Sequence, residues 1–145
     1  MTNDLDSTAA ARLREIGQRY TANRRAVVDV LASAAQPLAI PEILDARGGL
    51  AQSSLYRNLA VLEQAGVVHR IVTSADFARF ELAEDLTEHH HHLICAACGA
   101  VEDFTAPAEL ELTMSEVMGE VGRTSGFVPE RHRIDVVGRC ARCAP

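Results

Sequence analysis

The first fifty residues place apolar side chains at the spacing of three consecutive helices. The pattern predicts a short helix over residues 8–18. A second helix starts after Thr21, whose hydroxyl can accept a hydrogen bond from a free N–H of the first turn, and it runs to the break at Pro37. Pro41 opens a third helix, because its fixed φ suits a first helical position, and Gly48 ends that helix.

A fourth helix has the clearest apolar stripe, formed by Leu55, Leu59 and Leu62. Its expected limits are Ser53, as the capping residue, and Gly66. At about 100° per residue, Ser53 and Arg57 point away from the stripe, with Ser54 and Tyr56 on its flanks. This helix therefore presents hydroxyls, a guanidinium and a phenol to the solvent, in a pattern that an ordinary solvated helix face would also show.

Two β-rich segments follow, Val67–Val72 and Phe77–Leu82, and the residues 73–76 between them indicate a hairpin. Helices followed by a hairpin are the order of a winged helix-turn-helix. The acidic segment 83–88 then marks an expected boundary between domains. We therefore expect a winged-helix domain over residues 1–82, a linker over 83–88 and a second domain over 89–145.

The second domain alternates strands and one helix. A strand ending at Cys95 and another over Ala100–Phe104 flank a turn, and a last strand covers residues 131–139. The helix opens at Pro107 and ends at Gly126, and its apolar stripe consists of Leu110, Met114, Val117, Met118 and Val121. The fold class expected for the whole chain is α+β, a winged helix-turn-helix followed by an α/β domain.

Composition places the chain among ordinary globular proteins. It has 145 residues, of which 48% are hydrophobic and 23% charged, and it carries a net charge of −6. No apolar run approaches the roughly 18 residues of a membrane span. The polar, acidic start does not resemble a secretory signal peptide. The expectation is a cytoplasmic protein without a membrane partner.

The two halves of the chain differ in charge. Residues 1–80 hold nine arginines and eight acidic residues, whereas residues 81–145 hold five arginines and twelve acidic residues. Every basic residue other than histidine is an arginine. The balance in the first half is compatible with a nucleic-acid partner, although the net charge of the whole chain opposes one.

The four cysteines form two CxxC pairs at opposite ends of the second domain. Each pair offers two thiolates from one tight turn, and two such turns complete a tetrahedral zinc shell with sulfur at about 2.3 Å. In a reducing compartment such pairs are more often metal ligands than disulfides. The sequence thus predicts a closed, structural zinc site at Cys95, Cys98, Cys140 and Cys143.

Four consecutive histidines, His89–His92, precede the first cysteine pair. On an extended backbone, alternate side chains point to opposite faces, so the run could serve two metal sites. The face of His90 and His92 could recruit His69, Glu81 and Asp85. The face of His89 and His91 could recruit His132 and one helix carboxylate, either Glu109 or Glu111.

These motifs, in this order and spacing, resemble the ferric-uptake-regulator (Fur) superfamily of metal-sensing repressors over nearly the whole chain. The resemblance is carried by Arg19-Tyr20-Thr21 with Arg24 and Arg25, Ser54–Leu59, Gly66-Val67-Val68, Phe80-Glu81-Leu82, His89–Cys95, Cys98-Gly99, and Cys140 with Cys143. It implies a winged-helix DNA-binding domain, a dimerisation domain with a structural zinc, and a regulatory metal at the hinge.

The resemblance also implies ligand sets. The regulatory site falls on His69, Glu81, His90 and His92, with Asp85 as the alternative to Glu81. A third site falls on His89, His91, His132 and Glu111, with Glu109 as the alternative carboxylate. Iron-type members often place a histidine near position 38, where this chain has Leu38, whereas His69 lies where zinc-sensing members place a ligand. The chain is therefore most similar to the zinc-uptake-regulator (Zur) branch.

The function expected from these observations is that of a homodimeric, metal-responsive repressor that binds double-stranded DNA at a palindromic operator and controls metal-uptake genes. Zinc is the expected co-repressor, and iron, nickel, manganese or peroxide sensing are the alternatives. The expected DNA-binding residues are Arg57, Tyr56, Ser53, Ser54, Arg19 and Arg24.

Two other classes of protein fit the sequence less well. A zinc hydrolase would need an open metal position and a motif such as HExxH, which the chain lacks, so neither an enzyme nor a small-molecule substrate is expected. A zinc-binding buffer or interaction module would leave the helix–hairpin half and its outward Arg57 unexplained.

Overall fold

The computed structural model describes residues 2–73 and 78–145, which form an α+β fold as predicted. No helix within these ranges is long and apolar enough to cross a membrane. The elements in chain order are α1 (Thr2–Glu15), α2 (Ala22–Ser33), β1 (Leu38–Ala39), α3 (Ile40–Ala46), α4 (Gln52–Gln64), β2 (Val68–Val72), β3 (Ala78–Leu82), a 3-10 helix (Glu84–Leu86), β4 (His91–Cys95), β5 (Val101–Phe104), α5 (Ala108–Ser125) and β6 (Asp135–Gly138).

The strands form two three-stranded sheets, one on each side of the segment 83–88. The first sheet is antiparallel in the order β1-β3-β2. The second has the order β5-β4-β6, in which β4 is antiparallel to β5 and parallel to β6, with α5 in the connection from β5 to β6. We call α1–α4 with the first sheet the first lobe, and the second sheet with α5 the second lobe.

The apolar stripe predicted for α4 forms the centre of the first lobe. Leu55, Leu59 and Leu62 are each at most 1% exposed and pack in one cluster with side chains of α1, α2 and the first sheet. Thr21 caps α2 as predicted, since its side chain accepts a hydrogen bond from the Arg24 N–H. Gly66 follows α4 with a φ of 76°, a left-handed conformation that favours glycine.

The predicted helix over residues 8–18 is wrong in both limits, because α1 covers Thr2–Glu15. Its buried residues Ala9 and Leu13 continue a four-residue spacing that starts at Leu5, which packs against the same core. This earlier turn was missed because the surrounding residues are polar. The chain leaves the helix at Gly17, whose φ is 73°.

Ser53 does not cap α4. The carbonyl of Ala51 accepts the first helical hydrogen bond, from the Leu55 N–H at 2.9 Å, so the helix begins at Gln52 and Ser53 lies inside its first turn. The sequence pattern also missed β1, which has only two residues and exists through its pairing with β3. Residues 74–77, with the predicted hairpin loop and Phe77, lie outside the described residues.

The second lobe buries little of its apolar surface. No residue of α5 is buried, and Leu110, Val117 and Val121 from its predicted stripe are each at least 40% exposed. On β6, Val136 and Val137 are likewise exposed. The helix ends at Gly126 as predicted, and β6 occupies only the second half of the strand expected over residues 131–139.

Replacing Leu59 with alanine should destabilise the first lobe by about 2–5 kcal/mol, because it removes a fully buried side chain from the core. The measurement is the free energy of unfolding in denaturant. Gln64→Ala, at an exposed position near the end of the same helix, is the matched control and should change stability by less than about 0.5 kcal/mol. A Leu59→Ala protein as stable as the control would show that α4 is not central to this core.

Candidate metal centres and nucleic-acid face

Strand β4 and the two residues before it carry ligand-type side chains to three separate clusters. Each cluster holds four such residues whose ligand atoms lie within 4.8 Å of one another. The structure shows the alternation expected of an extended backbone, with His89 and His91 on one face and His90 and His92 on the other. Cys95 ends the strand and belongs to the third cluster.

The cysteine cluster forms where β4 and β6 run in parallel. Their register places Cys95 opposite Gly138, so Cys140 follows directly alongside the Cys95–Cys98 turn. The sulfurs of Cys98 and Cys140 are 3.8 Å apart. Two sulfurs of a tetrahedral zinc shell with bonds of about 2.3 Å are separated by about the same distance, so the four residues fit zinc.

Electrostatics within this cluster also favour a cation. Backbone N–H groups of Cys140 and Cys98 donate to the Cys95 sulfur and lower the pKa of that thiol to about 6. The hydrogen bond with the Cys140 sulfur raises the pKa of Cys143 to about 12. Four crowded sulfurs therefore cannot all ionise by themselves, whereas a divalent cation would stabilise four thiolates.

The second cluster contains His89, His91, Glu111 and His132. The Glu111 carboxylate lies 2.5 Å from His91 Nε2, 2.8 Å from His132 Nε2 and 3.2 Å from His89 Nε2. The hydrogen bond with His91 is the main reason that the pKa of Glu111 is lowered. Three imidazoles and one carboxylate form a donor set that suits zinc and other divalent transition metals.

The third cluster joins the two lobes and contains Glu81, His90, His92 and Asp103. Glu81 lies on β3, and its carboxylate is 2.9 Å from His90 Nε2 and 3.0 Å from His92 Nε2. Asp103 pairs with His92 across the β4–β5 ladder, and its Oδ1 is 3.6 Å from His92 Nε2. We call these four residues the hinge cluster.

The two carboxyl groups of the hinge cluster have pKa values shifted in opposite directions. Burial raises the pKa of Glu81, but its contacts with His69, His92 and His90 lower it more, so the net pKa lies well below its usual range. Burial and the charge of Glu81 raise the pKa of Asp103. Two carboxylates held together in a half-buried site attract a cation, because its charge would stabilise both ionised forms.

The ligand set predicted from the sequence contained His69 and did not contain Asp103. His69 is opposite Glu81 in the β2–β3 ladder, with its Nδ1 3.6 Å from Glu81 Oε1, but it is not one of the four clustered groups. Its Nε2 accepts a hydrogen bond from Arg133 at 3.1 Å. The sequence did contain a signal for Asp103. If the two strands that flank the Cys98-Gly99 turn are paired outward from that turn, His92 lies opposite Asp103.

The structure also distinguishes between the carboxylates that the sequence left as alternative metal ligands. Asp85 forms an ion pair with Arg12, which lowers the pKa of Asp85, while Glu81 contacts the histidines. Glu111 contacts three histidines, whereas Glu109 lies two residues earlier on α5, about 200° around the helix, and outside the cluster. The geometry therefore favours Glu81 and Glu111 as ligands.

The residues expected to contact DNA lie mainly on the solvent side of α4. Ser53 and Arg57 are exposed, Tyr56 is 54% exposed and Ser54 is half-buried. Arg19 is also exposed, in the turn before α2. A helix face with a guanidinium, a phenol and hydroxyls can donate hydrogen bonds to phosphates and base edges.

Arg24 has a different environment from the other expected DNA-binding residues. Its guanidinium donates to Asn58 Oδ1 at 3.1 Å, to Gln18 Oε1 at 3.1 Å and to the Arg19 carbonyl at 2.7 Å. These contacts fasten the turn before α2 to α4. In this structure Nε and Nη1 of Arg24 therefore hold the turn that carries Arg19 against α4, and a contact of Arg24 with DNA stays a prediction.

The model of the ferric uptake regulator family matches residues 15–137, most of the chain. The chain belongs to the ferric uptake regulator family. Family members are transcription regulators, and this chain is accordingly a metal-responsive regulator of transcription with an N-terminal DNA-binding domain and a C-terminal dimerisation domain.

Relatives in the family span nearly the whole chain. The peroxide operon regulator of Bacillus subtilis is 28% identical over 140 residues, which are 94% of this chain and 91% of the relative. The ferric uptake regulator of Helicobacter pylori, described as having three functional metal binding sites, is 26% identical with a TM-score of 0.75, covering 99% of this chain and 93% of that one. The Vibrio cholerae ferric uptake regulator is 25% identical with a TM-score of 0.67, covering 88% and 96%.

We expect zinc at the cysteine cluster, and replacing Cys140 with serine should release it and lower the thermal stability of the second lobe, because three thiolates do not complete a closed tetrahedral shell. The measurements are zinc content by mass spectrometry and the unfolding midpoint. Ala141→Ser places the same hydroxyl at the exposed neighbouring position and should keep the full zinc content. Equal zinc content in the two variants would rule out a structural role for Cys140.

Lowering the pH from about 8 to about 6 should weaken metal binding at the hinge cluster, by up to about tenfold per pH unit below the pKa of each histidine ligand. Burial lowers the pKa of His90, but contacts with the Glu88 carbonyl and Glu81 raise it more, so protons compete with metal at a higher pH than for an ordinary histidine. Glu81, with its lowered pKa, stays ionised throughout. Metal competition titrations measure the effect, and a pH-independent affinity would contradict it.

Proposed function

We propose that this member of the family is a zinc-responsive repressor in which the regulatory metal acts as a co-repressor for metal-uptake genes. The observation that carries the proposal is the hinge cluster, to which Glu81 comes from the first lobe and three ligand-type residues come from the second. A cation bound there would connect the two lobes. We also propose the domain limits 1–82 and 89–145, with residues 83–88 as the hinge.

Sensing follows from the fact that the ligands lie on both sides of the hinge. Glu81 can approach His90 and His92 only when the lobes have one relative orientation. Metal therefore binds that orientation in preference to others and raises its population. If that orientation is also the one that fits DNA, metal and DNA strengthen each other's binding by the same factor.

His69 is proposed as an additional regulatory ligand. It lies directly opposite Glu81 and contacts that carboxylate, so a change in its side-chain conformation would bring it to a metal held by Glu81. The cysteine cluster is proposed as the structural zinc site. The cluster of His89, His91, Glu111 and His132 is proposed as a further site that connects α5 to the second sheet.

A homodimer is supported by the uncovered apolar surface of the second lobe. The exposed stripe of α5 and the exposed Leu93, Val136 and Val137 of the second sheet would be costly to leave in water. A second copy of the chain would cover them. The resulting twofold symmetry matches a palindromic operator, with the two α4 helices in major grooves about 34 Å apart.

Asp103 favours a second candidate, a repressor that responds to Fe²⁺ or Mn²⁺. Without His69, the hinge cluster supplies two imidazoles and two carboxylates, and a larger share of oxygen ligands suits these metals. One relative is a peroxide operon regulator, and a response to peroxide is compatible with a redox-active regulatory metal. The two candidates differ in the metal that promotes DNA binding at the lowest free concentration.

The test measures DNA affinity against buffered free Zn²⁺, Fe²⁺, Mn²⁺ and Ni²⁺, with a duplex selected from random sequences by the metal-loaded protein. We expect zinc to promote binding at the lowest free concentration and His90→Ala to abolish the metal response. Arg57→Ala should weaken DNA binding about tenfold at saturating metal, because it removes an exposed guanidinium from the α4 face.

Arg123→Ala is the matched control, since it removes the same charge from α5, far along the chain from α4, and it should bind DNA within twofold of the unaltered protein. A metal response led by Fe²⁺ or Mn²⁺ would select the second candidate. If the metal-free protein bound the duplex as tightly as the loaded protein, the hinge cluster would not be a sensor.

A further inference from the structure

The hairpin of β2 and β3 has one face toward the core of the first lobe and one toward the second lobe. Val68, Phe80 and Leu82 are buried in the core of the first lobe. Strand alternation places the other side chains on the opposite face, where the ladder pairs His69 with Glu81 and Ile71 with Arg79. Glu81 of the hinge cluster therefore shares a face with Ile71 and Arg79, which pair two positions further along the ladder.

Ile71 forms an apolar contact between the lobes. It is 1% exposed and packs in a small cluster with Ile94 of β4 and Val101 of β5, separate from the core of the first lobe. Without the second lobe, this face of the first sheet would leave an isoleucine half in water. The second sheet is thus what buries it, and its burial favours the docked arrangement of the lobes.

Arg79 forms a polar contact beside Ile71. Its Nε donates to the Gly99 carbonyl at 2.8 Å, and its Nη1 donates to Glu42 Oε1 at 2.7 Å, while its side chain is only 14% exposed. Gly99 belongs to the second lobe and closes the Cys95–Cys98 turn, where its N–H donates to the Cys95 carbonyl at 2.9 Å. The guanidinium therefore links α3 of the first lobe to the cysteine turn of the second.

We propose that Ile71 and Arg79 dock the first lobe onto the cysteine-bearing β4–β5 hairpin, and that Arg79 is thereby a positioning residue for the regulatory metal. We call the contacts among Ile71, Arg79, Ile94, Gly99 and Val101 the docking contact. The inference rests on the proposed function, because it assigns the hinge cluster to metal sensing. It adds that the cysteine turn, through Gly99, takes part in setting the metal affinity of the hinge.

The physical link is that docking and metal binding select the same orientation of the lobes. The structure contains the docking contact and the assembled hinge cluster together, and both use one face of one hairpin. If the hairpin rotated away from β4, Arg79 would lose Gly99 and Glu81 would leave His90 and His92. Weakening the docking contact therefore lowers the fraction of molecules ready to bind metal, and the apparent metal Kd rises in proportion.

The hydrogen bond from a charged, largely buried guanidinium to a carbonyl is strong enough for its loss to change such an equilibrium about tenfold. The ion pair of Arg79 with Glu42 lies within the first lobe and does not cross the hinge. Replacing Glu42 therefore disturbs the first lobe in the same place without removing the contact with Gly99. Comparing the Arg79 and Glu42 variants therefore distinguishes a role of Arg79 in orienting the lobes from a role only in the stability of the first lobe.

The experiment follows hydrogen exchange of the β3 segment, residues 78–82, against buffered free Zn²⁺ in the zinc-containing dimer. Glu81 lies in this segment, so its protection follows metal binding at the hinge cluster more directly than binding at the other clusters. Arg79→Met and Ile71→Ala should each raise the half-saturating zinc concentration about tenfold. Glu42→Gln should stay within twofold of the unaltered protein, and unfolding midpoints of all variants show whether the first lobe remains folded.

A half-saturating concentration for Arg79→Met equal to that of the unaltered protein would overturn the proposal, as would an equal shift in Glu42→Gln. If Ile71→Ala unfolds, Arg79→Met with Glu42→Gln still decides the question. Failure of the proposed function would look different, since the unaltered protein itself would then show no zinc-dependent protection or no zinc-dependent DNA binding.

Discussion

The extended backbone of β4 is the constraint on which the rest of this structure depends. Because alternate side chains of a strand point to opposite faces, four consecutive histidines are divided between two clusters that cannot share an ion. The same strand ends in Cys95, which brings the cysteine turn beside β6. One strand thus connects α5, the hinge and the cysteine cluster, so a movement of β4 would affect all three.

The two lobes meet through contacts of different kinds. The hinge cluster supplies charged and polar groups whose best partner is a cation, whereas the docking contact supplies apolar burial and a buried guanidinium. A metal would strengthen the first set of contacts, whereas the second set needs none. Such a combination keeps the lobes close to the metal-binding orientation, so that a modest binding energy is enough to shift the population.

Charge explains how an acidic protein can bind DNA. The excess of acidic residues lies after position 80, where many of the carboxylates face histidines or arginines, while the exposed α4 face of the first lobe carries Arg57. Association with phosphate depends on the local field at that face rather than on the net charge. Arg24 fastens the turn that carries Arg19 to α4.

The sequence by itself determined the fold class, the limits of most helices and the two CxxC pairs, because periodicity, proline, glycine and cysteine spacing are local signals. It failed at β1 and at the first turn of α1, which exist through contacts with the rest of the first lobe. Only the tertiary structure decided which carboxylates meet the histidines. Asp103 reaches the hinge through strand register, Glu111 through the placement of α5, and His69 is held by Arg133, because each contact joins residues far apart in the chain.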